Sequence, residues 1–188
     1  MPPKTKITKD DIITASLDLT RNNGFEAINA RSIASALNCS TQPIFSNFSS
    51  MEELESEVFR AAYSHYLGFI NAELESGKYP AYKAYGMAYI RFAKEEKELF
   101  KLLFMCDRAG KDFIPTSDFD NSVEMIMKAN GFTKERATLI HLEMWSCVHG
   151  IGTMFATSFL LLEWELVENM LSDVYMGILA RHKTEVGK

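Results

Sequence analysis

Cysteine is scarce in this sequence and has no near partner. The three cysteines, Cys39, Cys106 and Cys147, are an odd number at wide spacing, and no C-x-x-C pair occurs. A disulfide framework and a paired-thiolate zinc motif are therefore excluded, and the pattern suits a reducing compartment where a small thiol serves as a hydrophobe. A surplus of positive charge is missing too. Lys and Arg number 20 against 25 Asp and Glu, giving −5 overall and a pI near 5.4, so no global field attracts a polyanion. The balance is uneven, however. The first 50 residues hold five cations (Lys4, Lys6, Lys9, Arg21, Arg31) and four anions (Asp10, Asp11, Asp18, Glu26), and the excess of acid lies in the remainder. Any polyanion-binding surface belongs at the N-terminal end, and it is a modest one. An apolar leader is not seen: Met1-Pro2-Pro3-Lys4 runs into Thr5-Lys6-Ile7-Thr8-Lys9-Asp10-Asp11, charged where a signal peptide needs an apolar stretch. The expectation is a cytoplasmic protein.

Catalytic and cofactor motifs are absent as well. There is no H-E-x-x-H, Walker loop, G-x-G-x-x-G or G-x-S-x-G. His141, Trp145 and His149 recur at four-residue spacing, but no carboxylates stand at matching positions, so a metal site is not expected and neither is a cofactor. Long apolar runs are limited to Met144–Leu162, 19 residues without formal charge bracketed by Trp145 and Trp164. On a helical wheel Met144, Val148, Ile151, Phe155, Phe159 and Leu162 form one bulky face, and Ser146, Gly150, Thr153 and Thr157 a small polar one. A helix with two such faces is packed by protein on both sides, so the run reads as a core or interface helix and not as a membrane span.

What is present is helical periodicity nearly throughout, with no sustained β alternation and no internal repeat. Thr8 and Asp11 open a first helix that stops at Asn22-Asn23-Gly24. Asn29 caps a second, with Ile33, Ala34 and Leu37 inward. Asn38 is a turn residue that tolerates a left-handed backbone, and Ser40 caps a third helix with Ile44, Phe45 and Phe48 inward. Ser50 and Glu53 form a capping box for a long helix, Met51–Ser76, closed by Gly77 and Pro80. Helices at Ala81–Lys94, Glu98–Met105 and Asp120–Asn130 follow, with a loop over Asp107–Phe119. Thr133 caps the long apolar helix, and a last helix runs over Trp164–Arg181. The fold class is all-α, about nine helices: residues 1–50 form a three-helix N-terminal domain and 51–188 a larger helical bundle.

The first three helices have the parts of a helix-turn-helix. A small residue stands where helices cross (Ala34), a permissive one in the turn (Asn38), and apolar anchors lie on both sides (Ile33, Leu37, Cys39, Ile44, Phe48). In such a unit the third helix can enter a major groove about 12 Å wide. Any three-helix corner needs similar residues, so packing alone leaves DNA binding and a plain structural role both open.

The wording of this region resembles the TetR family of bacterial transcriptional regulators over residues 8–60. The matching text is Ile12-Ile13-Thr14-Ala15-Ser16-Leu17, Asn23-Gly24-Phe25-Glu26-Ala27, Arg31-Ser32-Ile33-Ala34, Asn38-Cys39-Ser40, Ile44-Phe45-Ser46-Asn47-Phe48 and Ser50-Met51-Glu52-Glu53-Leu54. More loosely, the C-terminal part resembles a subgroup marked by a Trp-His-Gly motif, here Trp145, His149 and Gly150. The resemblance implies a homodimer paired through the last two helices, a palindromic DNA operator as partner, and a small-molecule effector that releases it. The implied DNA-facing residues are Ser40, Thr41, Gln42, Pro43, Phe45, Ser46 and Asn47, with Arg31 on phosphate and Lys4 and Lys6 as an arm. Gln42 and Asn47 can each bond adenine in bidentate fashion, and Thr41 and Ser46 can reach phosphate or base edges.

Two departures bear on this. The family commonly has glycine where Gln42 stands and lysine where Met51 stands, and no charged residue occurs from Ser32 to Met51. Phosphate anchoring must then lean on hydroxyls and helix N-termini, which predicts a shallow salt dependence. For the effector, the ring-rich middle suggests an apolar pocket drawn from Tyr66, Phe69, Tyr85, Tyr89, Phe92, Phe104, Trp145 and His149. Core packing explains the same rings. A helical small-molecule-binding protein, or an enzyme, without DNA affinity is the rival reading; the expectation is a protein that is not an enzyme.

Overall fold

A computed structural model describes residues 7–107 and 117–186, and among these all regular structure is helical, with nine α-helices and no strand. Lys4 and Lys6 lie outside the described residues, as does most of the segment expected as a loop at 107–119. The chain divides into two compact units. The first comprises Met1–Leu67 and Glu96–Cys106, the second Gly68–Glu95 and Asp107–Lys188.

The first unit begins with α1, Lys9–Asn23. Its start is a full capping box: the Asp11 N–H donates to Thr8 Oγ1 (3.1 Å) and the Thr8 N–H to the Asp11 carboxylate (2.8 Å). The Thr8 N–H, together with the Thr8 hydroxyl donating to the same carboxylate at 2.7 Å, holds the Asp11 carboxyl below its ordinary value. Ile12, Ser16 and Thr20 face inward, and each buried hydroxyl donates to the carbonyl four residues back. Gly24, at φ 82, ends the helix, and a short 3-10 turn over Phe25–Ala27 leads on. α2 is Ala30–Ala36. Asn29 accepts from the N–H groups of Arg31 and Ser32, and Ser32 returns a bond to the Asn29 N–H. α3 is Gln42–Asn47, and α4, which starts in this unit, is Met51–Glu75. Ser50 Oγ accepts from the Glu53 N–H as expected, but the Glu53 carboxylate takes the N–H and O–H of Ser49 instead of the Ser50 N–H. α6, Lys97–Phe104, packs on α1. The core is Ile12, Ile28, Ile33, Ala34, Ile44, Phe48, Leu54 and Val58.

One cap differs from the sequence reading. Ser40 does not cap α3; it is exposed, and Thr41 is the N-cap residue, with φ −72, ψ −12 and no side-chain bond. The Thr41 carbonyl accepts from Ile44 and Phe45, so the helix starts one residue later than expected. Pro43 is therefore its second residue, where an N–H would have no partner in any case. Phe45 is also not inward: it is 55% exposed, while Ile44 and Phe48 are buried.

In the second unit α5 (Ala81–Glu95), α7 (Ser117–Asn130), α8 (Lys134–Ala156) and α9 (Trp164–Val186) pack together, α8 against each of the other three. Gly86 marks a tight approach: a Cβ there would stand 3.3 Å from Leu171 and 3.4 Å from Val148. Val123, Ile126, Ala137, Ile140 and Leu179 form one core cluster. α7 begins at Ser117, so Phe119, expected in a loop, is helical.

The apolar run over 144–162 is not one helix. α8 stops at Ala156, where Ser158 turns left-handed (φ 55), its N–H donates to the Phe155 carbonyl and the Phe159 N–H donates to the Met154 carbonyl. This is a Schellman ending with serine in the place glycine usually takes. Met144, Val148, Ile151 and Phe155 are buried as the wheel predicted, but Phe159 is 83% exposed. No helix of the described residues is long and apolar enough to cross a membrane.

Candidate functional site

The turn between α2 and α3 is built like the end of α8. Leu37 is the C-cap of α2, Asn38 follows at φ 50, its N–H donates to the Ser35 carbonyl (3.1 Å) and the Cys39 N–H to the Ala34 carbonyl (2.9 Å). Asparagine tolerates the left-handed region because its short polar side chain bonds locally. The Schellman turn reverses the chain within three residues, and Ile33, Ala34, Ile44 and Phe48 lock the corner from inside. α3 is thereby held by its buried side with its other side in solvent.

On that outer side Gln42, Phe45 and Ser46 are exposed, and Thr41, Pro43 and Asn47 are half-buried. Two of the polar groups are engaged by the helix itself. Ser46 Oγ donates to the Gln42 carbonyl (2.9 Å), and Asn47 Nδ2 donates to the Pro43 carbonyl (2.7 Å). Arg31 is exposed at the start of α2 and its guanidinium makes no bond among the described residues. Lys9 is engaged: its ammonium lies 3.2 Å from Glu57, 3.8 Å from Glu53 and 5.0 Å from the Phe48 ring centre. The structure thus brings Arg31 and the α3 residues onto one small domain, with no charge on α3.

Sequence reasoning missed a polar cluster that ties α1 to α4 and α6. Arg21 Nε donates to both Glu96 carboxylate oxygens (3.0 and 3.2 Å), and His65 Nε2 lies 2.8 Å from Glu96 Oε1. Arg21 also bonds Asp18 at 3.0 Å, and these carboxylates raise its pKa further above the ordinary value, Glu96 most. No local signal reveals the cluster, because Arg21 and Glu96 are 75 residues apart.

The eight ring residues expected around an effector fall into both units. Tyr66 and Phe104 belong to the first, edge-on at 5.1 Å. Phe69, Tyr85, Tyr89, Phe92, Trp145 and His149 belong to the second. There Phe92 is fully buried and edge-on to Phe69 at 5.3 Å. Tyr89 is buried, with its hydroxyl 2.8 Å from His149 Nδ1. Trp145 and His149, four residues apart in sequence, sit one turn apart on α8 with ring centres 5.6 Å apart, and Trp145 is 44% exposed. Burial pushes the Tyr85 hydroxyl up, and the nearby charge of Asp118 adds to this.

A second tyrosine–histidine pair lies beside this group. The Tyr82 hydroxyl is 2.9 Å from His141 Nδ1, and Phe119 packs edge-on to the same imidazole at 4.7 Å. Burial raises the Tyr82 hydroxyl strongly and lowers His141 to about 4. Both groups are neutral near pH 7, and the phenol is suited to donate to the ring nitrogen. No group of three or more His, Cys, Asp or Glu among the described residues could hold a metal ion.

With this geometry in view, the fold is that of TetR-like transcriptional regulators. A TetR-like transcriptional regulator from Rhodococcus sp. RHA1 superposes with a TM-score of 0.66 at 13% identity, covering 96% of this chain and 98% of that one. A second transcriptional regulator from Rhodococcus sp. Rha1 gives 0.58 at 17% identity, covering 93% and 97%. A TetR variant from Acinetobacter baumannii AYE in complex with minocycline gives 0.50 at 15% identity, covering 92% and 93%. No protein-family model matches the sequence, and no curated protein matches it significantly. The likeness is one of fold along nearly the whole chain; the Trp-His-Gly resemblance rests on sequence.

Proposed function

We propose that the chain is a ligand-responsive transcriptional regulator of bacterial type, acting in the cytoplasm as a repressor that binds a palindromic operator as a homodimer and is released by a small molecule. The observation that carries this reading is the α2–α3 corner, rigidly closed at Asn38 and presenting an uncharged, solvent-facing α3 within a fold shared with TetR-like regulators. α3 would lie in the major groove, with Gln42, Phe45 and Ser46 outermost and Thr41, Pro43 and Asn47 flanking them. Ser40 precedes the helix near the phosphates. Arg31 would contact phosphate, with Lys4 and Lys6 reaching along the backbone.

Dimerisation through α8 and α9 is supported by where apolar surface remains uncovered. Among the described residues, eight of the ten exposed large hydrophobics lie between Leu139 and Met176, on these two helices and the turn joining them. A single chain rarely leaves such a concentration in water without a partner for it. The effector would be held in the second unit by aromatic walls with polar handles at Tyr89–His149 and Tyr85, joined by Phe69, Phe92 and Trp145; Tyr66 and Phe104 belong to the first unit, where they pack on each other, and fall outside this set. Its binding would alter the spacing of the two reading helices, which must match half-sites about 34–36 Å apart or a multiple.

The uncharged stretch from Ser32 to Met51 is the one feature that favours the rival reading, a helical small-molecule-binding protein without DNA affinity. Electrophoretic mobility shift of the purified chain on the promoter region of its own gene separates the two. A discrete, competitor-resistant complex supports the regulator. Retardation no stronger than on unrelated duplex of equal length refutes it.

A further inference from the structure

The side chains that α3 leaves free narrow the DNA it can read; this step rests on the proposal that α3 enters a major groove. Of the polar candidates on the helix, Ser46 has committed its proton to the Gln42 carbonyl and Asn47 its amide nitrogen to the Pro43 carbonyl. Asn47 is also half-buried, so it cannot present both halves of its amide to one base. Two side chains remain: the Gln42 amide, exposed and without a partner among the described residues, and the Phe45 ring, 55% exposed. They are three residues apart on one helix and so share a face.

The chemistry of that face is selective. Guanine offers two acceptors on its major-groove edge and is read by Arg or Lys, and no charged residue stands between Ser32 and Met51. Adenine offers one acceptor and one donor, which match the two halves of a glutamine amide. Thymine alone among the bases carries a methyl group in the groove, the apolar target that an exposed aromatic ring fits. We propose that α3 selects A·T pairs at the centre of each half-site, with Gln42 bonding an adenine edge and Phe45 packing on a thymine methyl.

The test selects duplexes from a random-core library with the full chain, then compares the selected duplex with a copy in which deoxyuridine replaces thymine at the protected positions. The expected result is A·T pairs at the half-site centre, and a loss of roughly fourfold in affinity for each methyl removed. Phe45→Ala should bind the thymine duplex as weakly as the uracil one, and Phe45→Leu should keep part of the difference. Gln42→Ala should relax the adenine preference by about tenfold. Guanine–cytosine pairs at the half-site centre would overturn the proposal. So would A·T preference that ignores the methyl groups, because that is readout of groove shape instead, and so would a Phe45→Ala chain that still discriminates. If no sequence is selected at all, the regulator reading fails together with this inference. Phe45 is exposed, and unchanged helical circular dichroism confirms that the variants are folded.

Discussion

Asn38 and Ser158 are the two non-glycine residues with positive φ among those described, and each closes a helix by the same pair of backbone bonds. At Asn38 the closure sets the angle between α2 and α3. Asn38→Val should destabilise the chain by about 1–2 kcal/mol, since a β-branched side chain meets the following carbonyl in this conformation, while Asn38→Gly should be neutral or stabilising. Denaturant unfolding measures both. Asn38 was legible because asparagine is a familiar left-handed residue at such a position. Ser158 was not, because its neighbours Phe159 and Leu162 continue the helical hydrophobic period and serine gives no stop signal of its own.

His141 sets an acid dependence at the same scale. Its native value is about 4 against 6.5 for an ordinary imidazole, lowered by burial. Between these two values the unfolded chain binds more protons than the folded one. Stability from this group is therefore complete above about pH 6.5 and is lost as the pH falls towards 4, by at most about 3 kcal/mol. Unfolding free energies at pH 6.5 and 4.5 should differ less in His141→Gln than in the parent chain. An equal difference in both would show that the carboxylates, and not this imidazole, set the acid limb.

Among the elements, α1 is held at both ends by different physics. Its N-terminus is capped locally by Thr8 and Asp11, three residues apart and readable from sequence. Its C-terminal turn is tied by Arg21 to Glu96, at the N-cap of α6, and through that carboxylate to His65 on α4. That bond joins residues distant in the chain, and nothing local foretells it. Glu96→Ala leaves Arg21 with Asp18 alone, and should cost about 1.5–3 kcal/mol per charge-assisted bond lost, read by denaturant unfolding. A loss below a few tenths of a kcal/mol would mean that solvent screens the cluster. Helix positions overall were legible from caps and periodicity, and all nine lie where expected to within a few residues except at the ends of α8 and of α9, which runs on five residues past Arg181 to Val186. The face of α3 was less so. Phe45 reads as a core residue by type and as an outward one by the family resemblance, and the built corner decides between them, with Ile44 and Phe48 filling the interior without it.

For the molecule as a whole, the uncovered apolar surface of α8 and α9 predicts a symmetric pair. Leu142 is 43% exposed, so Leu142→Glu should spare the fold and shift a dimer towards monomer in size-exclusion chromatography with light scattering. A parent chain that is monomeric at micromolar concentration would remove the basis for a palindromic operator. The uncharged α3 sets the salt response. The slope of log K against log salt should be shallower than about −6 per dimer, because few phosphate counterions are released; a steeper slope means that cations outside α3 dominate.

A regulator of this kind needs two copies of α3 on one duplex. Stoichiometric titration of a selected duplex by fluorescence anisotropy tests it most directly, with the parent chain and with a Gln42→Ala, Phe45→Ala double variant of unchanged helicity. Saturation at two chains per duplex and a large loss of affinity in the variant are expected. Binding by a single chain, or equal affinity of both proteins for the duplex, would contradict it.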